Sequence, residues 1–167
     1  MNKGSLISRR CDFTINAPIE KITKIANDPK HFYKIMHLVD NCTLISTHGD
    51  SSIFIVKLKP NIKSETPKET LIGSNIRLGT RYTTVVRSSV EMDSYNIPSE
   101  GFIRPLVLIS GMMLYPSETD GVTRVSSMCY VDTNKPYSIE AFKPLDRVVI
   151  DSAWMLKKNC ETGVWYI

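Results

Sequence analysis

The chain has 167 residues, 42% apolar and 23% charged, with 21 Lys and Arg against 17 Asp and Glu for a formal charge of +4. That is the length and composition of one ordinary domain spanning 1–167, and it has no run of about 18 apolar residues with which to cross a bilayer. A modest positive charge without any block of five Lys or Arg points away from nucleic acid and toward weak attraction to an anionic membrane surface.

The first ten residues lack the apolar stretch and cleavage site of a secretory signal. Cys11, Cys42, Cys129 and Cys160 lie far apart with no Cys-x-x-Cys spacing, so the expectation is reduced thiols in a cytoplasmic protein. His31, His37 and His48 form no metal-ligand spacing, and neither a metal nor another cofactor is expected.

In chain order, 6–15 alternates as a strand, and Asn16-Ala17-Pro18 breaks the period, with Pro18 preset for the first turn of a helix. Ile19, Ile22, Ile25 and Ala26 recur at helical spacing, and Pro29 opens a second short helix carrying Phe32, Tyr33, Ile35 and Met36. Segments 39–47 and 52–58 are β-rich and are joined by His48-Gly49-Asp50-Ser51, a hairpin signal. The stretch 60–79 holds Pro60, Pro67, Gly73 and Gly79 and reads as a long loop with a short strand near Leu71. A loop of that length inside one domain is unusual unless it has a function. Segments 80–91, 102–109, 112–115 and 122–131 read as further strands, the last two joined by Glu118-Thr119-Asp120-Gly121. From Ser138 onward, Ile139, Phe142, Leu145, Val148, Val149, Ser152, Met155 and Leu156 recur at steps of three and four. They mark an amphipathic helix of about six turns, with Pro144 expected to kink it or end its first segment.

Strands at short spacing with turn chemistry between them make an antiparallel meander, so the fold class is α+β. A curved sheet of six or seven strands has more apolar face than one helix can cover. Wrapping that sheet around the C-terminal helix leaves an interior cavity suited to a small apolar molecule.

Several segments resemble the START (StAR-related lipid transfer) domains of the helix-grip superfamily. Arg81-Tyr82-Thr83-Thr84-Val85-Val86-Arg87 is similar to that family's strand motif, an Arg-Asp-aromatic triplet with a second Arg six residues after the first; Tyr82 stands in place of the Asp. Gly101-Phe102-Ile103-Arg104 resembles the family's Gly-aromatic-Val/Ile-Arg strand opening. Ser110-Gly111, Leu114-Tyr115-Pro116 and Thr123-Arg124-Val125 follow at similar spacing, and Phe13 to Glu20 resembles the superfamily's strand-to-helix junction. Against that family the chain is N-terminally shortened, beginning at the equivalent of its third strand.

The resemblance implies a lipid-binding protein that transfers one lipid, a sterol, phospholipid or related molecule, between membranes. It implies that the 60–79 loop and the C-terminal helix gate the cavity, with Lys59, Lys63, Lys68 and Arg77 meeting anionic headgroups. Family members place an Arg at Arg87 opposite an acid on the preceding hairpin; Val56-Lys57 stands there in this chain, leaving Arg87 to meet a polar or anionic group directly. Val85, Met112, Met128, Phe142, Val149 and Trp154 are the candidate wall, and Arg81, Gly101 and Arg104 are candidate structural positions of the motif. No Ser/His/Asp order, phosphate loop or carboxylate cluster stands out, so no catalytic residue is assigned. A helix-grip cyclase or hydrolase acting on an apolar substrate and a ligand-sensing regulatory protein are the alternatives.

Overall fold

The computed structural model describes residues 6–36, 39–59, 68–95, 97, 99–102, 106–132 and 139–163. Among these, the chain order is β1 (Leu6–Ile15), α1 (Ile19–Asn27), α2 (Pro29–Ile35), β2 (Val39–His48), β3 (Ser51–Leu58), β4 (Lys68–Leu78), β5 (Thr83–Ser89), β6 (Leu106–Pro116), β7 (Thr123–Asp132) and α3 (Ile139–Thr162). All strand pairs are antiparallel, in the order β1-β7-β6-β5-β4-β3-β2.

This order explains the two short helices. β1 and β2 are consecutive strands at opposite edges of the sheet, so the chain between them must cross one face. α1 and α2 make that crossing, and β2 to β7 then meander back until β7 pairs with β1. Asp28 separates the helices: its carboxylate accepts the Lys30 N–H at 2.8 Å, with Pro29 in the first turn of α2.

The crossed face is the inner one. Register places Phe13, Ile15, Phe54, Val56, Ile72, Ser74, Val85, Arg87, Ser110, Met112, Leu114, Val125, Ser127 and Cys129 on it. Two apolar clusters form there. One joins Ile15, Ile22, Ile25, Leu114 and Val125 to Leu156 and Cys160 of α3. The other joins Phe32 of α2 to Val39, Phe54, Val56 and Ile72. Each fully buried aliphatic or aromatic side chain contributes about 1.5–3 kcal/mol. α3 comes nearest the sheet at β1 and also meets α1 and α2. It is tied to β1 by the Arg9–Asp146 ion pair and by Lys157, whose Nζ donates to Thr14 O at 2.6 Å. Glu161 closes this clip, accepting from Asn16 N at 2.8 Å and pairing with Lys157 at 2.9 Å.

Three sequence expectations change. Of the stretch 60–79 read as a loop, residues 68–78 are an eleven-residue central strand, and 60–67 lie outside the described residues, Lys63 with them. Gly73, taken as a loop signal, sits mid-strand because Val90 leans over it: a Cβ there would come within 2.8 Å of the Val90 Cγ1. The two strands expected over 102–109 and 112–115 are the single strand β6, in which Gly111 is required by the close approach of β5; a Cβ would stand 2.1 Å from Val85 O. α3 runs through position 144 as one helix.

On the outer face, Val90 and Ser99 lie against β4: Val90 N–H donates to Leu71 O, and Ser99 donates through both N–H and Oγ to the Glu69 carboxylate. Leu71 and Glu69 are thereby buried although they face outward, and Lys57 stands over the Phe102 ring beside them.

Candidate functional site

Arg87 enters the inner face from the middle strand β5, between the two clusters. One guanidinium nitrogen donates to Ala26 O at 2.6 Å, in the last turn of α1, and the Phe32 ring lies 4.8 Å beneath it. The negative end of a helix and an aromatic face both favour a cation. They compensate the charge only in part: among the described residues no carboxylate pairs with it, and the buried Nε has no partner. Burial pulls the Arg87 pKa down to about 10, which still leaves it cationic at neutral pH. So Arg87 points inward and, in addition, caps α1, a role that its position in the sequence did not disclose.

A second polar feature lies on α3. Ser152, Leu156 and Asn159 follow at steps of four and three and share the buried side of the helix. Asn159 is 0% exposed, and among the described residues neither end of its amide has a partner; the Ser152 Oγ is likewise buried and unpartnered there. Leaving such a group unbonded costs about 1–3 kcal/mol. Asn159 was missed in the sequence although the signal was there, three residues beyond Leu156 and seven beyond Ser152 on an otherwise apolar stripe.

Around these groups the wall is apolar or only weakly polar. Val85 is fully buried, and Met112 and Val149 are half-buried. Cys11, Cys42 and Cys129 belong by register to the inner face, and Cys160 belongs to the α3 cluster. Burial pushes the Cys42 and Cys160 thiols up to about 11 and raises Cys129 as well, so all three are protonated at neutral pH and behave as small apolar groups.

Two candidate wall residues lie elsewhere. Met128 pairs with Gly111 on the outer face and is 50% exposed, because the period-two alternation of β7 turns it away from Ser127 and Cys129. Trp154 is 54% exposed on the outward side of α3, where Lys158 stands 4.5 Å from its ring. The side chain of Phe142 and all of Arg104 lie outside the described residues. Gly101 has φ +83° in the turn before Phe102, a conformation suited to glycine. Arg81 is exposed and, with Ile19, Thr23, Leu78 and Tyr82, lines a cleft of about 310 Å³ at the β4–β5 turn. That cleft opens to solvent beside α1, and neither Arg87 nor Asn159 lines it.

No protein-family model matches the sequence, and no curated protein matches it. Solved structures do. Human STARD10 superposes with a TM-score of 0.78 at 13% identity, over 92% of this chain and 62% of that one. The fold is the helix-grip of the START domains. Human StAR-related lipid transfer protein 5 matches with the same TM-score and identity, over 92% of this chain and 74% of its own. This chain thus spans less than two thirds of STARD10 and about three quarters of the second protein. The Zhui aromatase/cyclase from Streptomyces is a looser match, with a TM-score of 0.60 at 9% identity over 97% of this chain and all of that one. The START fold therefore accommodates this sequence despite little identity. No described helix is long and apolar enough to cross a membrane.

Proposed function

We propose that this protein holds one lipid between the sheet and α3 and transfers it between membranes. The observation that carries this reading is an inner face left partly open beyond the cluster that Leu156 and Cys160 of α3 form with Ile15, Leu114 and Val125. Cys11, Ser110, Met112, Ser127 and Cys129 keep part of their surface accessible there, whereas Phe54, Val56 and Ile72 beside α2 are 1%, 1% and 6% exposed. Space bounded by thiols, Met112, Val85 and Val149 accepts an apolar body, whose burial is worth roughly 25 cal/mol per Å². Arg87 meets the polar or anionic end of the guest. The likeness to lipid transfer proteins agrees with this arrangement.

Contact with an anionic bilayer is assigned to the outward side of α3. Ile150 and Trp154 are 61% and 54% exposed there and are flanked by Arg147 and Lys158. Such a stripe suits the boundary between headgroups and acyl chains.

The test is extraction of the purified protein followed by mass spectrometry, together with transfer of labelled lipid between vesicles. One lipid per chain and accelerated transfer are expected. A lipid-free protein that takes up nothing from mixed-lipid vesicles would refute the reading.

A further inference from the structure

The apolar stripe of α3 is interrupted in its second half, at Ser152 and in the last turn at Asn159, and the interruption has a chemical specification. An ordinary helix packed on a sheet carries Leu or Ala at such positions, and a buried polar residue is retained where its hydrogen bonds are met. Asn159 is fully buried, and its Oδ1 and Nδ2 are both unpartnered. Ser152, two turns earlier on the same face, repeats the pattern with its buried Oγ. Among the described residues no side chain completes these groups, and Leu156 and Cys160, adjacent on the helix, pack with the apolar Ile22, Leu114 and Val125.

We propose that Asn159 is a hydroxyl-binding subsite and that the carried lipid is a hydroxylated long-chain anion. The assignment rests on the lipid-carrier reading above and specifies the guest. A hydroxyl both donates and accepts, so one such group satisfies both ends of the amide, whichever way the amide is turned. The anionic end belongs at Arg87, the buried cation that no carboxylate pairs with among the described residues. Ser110 and Met112 connect the two ends: Ser110 is the cross-strand neighbour of Arg87, and Met112, two residues on along the same face, packs against the cluster containing Leu156 and Cys160. Met112 is half-buried and unbranched, and its side chain is the one that swings to admit the guest to Asn159.

The experiment is calorimetric titration of the full chain with octadecanoate, octadecanol and a series of octadecanoates bearing one hydroxyl at successive positions, on wild type and Asn159→Leu. At least one hydroxylated acid is expected to bind about tenfold tighter than octadecanoate, the worth of one well-made hydrogen bond. Asn159→Leu is expected to erase that advantage and to melt no lower than wild type. The proposal is overturned if no hydroxyl position gives an advantage, if the advantage survives in the variant, or if the variant melts lower with its selectivity intact. Octadecanol binding as tightly as octadecanoate overturns the anionic assignment. Failure of every C18 probe to bind overturns this inference, and the carrier reading falls with it only if mixed-lipid vesicles also give no uptake; octadecanoate binding without a hydroxyl preference overturns this inference alone.

Discussion

The inner face of the sheet has two halves built on different principles. Beside α2, Phe32 and Phe54 stack with centroids 6.1 Å apart and planes 14° from parallel, and Val39, Val56 and Ile72 close around them. That half is filled by its own side chains. Beside α3, Ile15, Leu114 and Val125 pack under Leu156 and Cys160, but Cys11, Ser110, Met112, Ser127 and Cys129 keep accessible surface, and among the described residues the buried polar atoms of Ser152 and Asn159 have no partner. One half holds the fold together, and on the proposed reading the other keeps its contacts for a guest. Arg87 stands at the boundary and belongs to both, bonded to α1 and stacked on Phe32 while its Nε is unbonded. The lesson is that burial alone does not distinguish a core from a site; the completeness of hydrogen bonding within it does.

Paired truncations separate the halves most strongly. Phe54→Ala removes a ring that is 1% exposed and should cost about 3–5 kcal/mol in urea unfolding. Met112→Ala, taken from a wall that is only half-buried, should cost under about 2 kcal/mol. Equal losses would mean that both halves are packed alike.

A smaller effect on stability and a larger one on binding are expected at the boundary. Arg87→Leu frees the Ala26 carbonyl but also removes a partly compensated buried charge, so the two terms offset and stability should change by only about 1 kcal/mol. Binding of an anionic lipid should weaken at least about tenfold, because a charge-assisted hydrogen bond is lost. Unchanged affinity, measured by displacement of a fluorescent fatty acid, would assign Arg87 to capping α1 and nothing more.

Much of this architecture was legible in the sequence because its signals are local. Pro18, Asp28 and Pro29 punctuate the two short helices, Gly49-Asp50 marks the β2–β3 hairpin, and the three- and four-residue steps of α3 are plain. Glycine misled where its reason was distant. Gly73 and Gly111 read as breaks, yet both lie inside strands and make room for β5 and the residue that follows it, a requirement visible only once the strands are paired. Strand parity decided the wall: Val85 and Met112 face inward, whereas Met128 points outward. Trp154, chosen as a large apolar residue of the last helix, lies off the stripe that includes Leu156. The cap that Arg87 provides for α1 joins residues 61 apart in sequence, and no local pattern announces it.

The account turns on α3 and the sheet beside it enclosing the guest, with the α2 half as scaffold. Hydrogen exchange of the full chain, with and without bound lipid, addresses this most directly. Slower exchange confined to the amides of α3 and the adjoining part of β6 is predicted, with α2 and β3 unaltered. Slowing centred on α2 and β3, or spread evenly through the molecule, would contradict it.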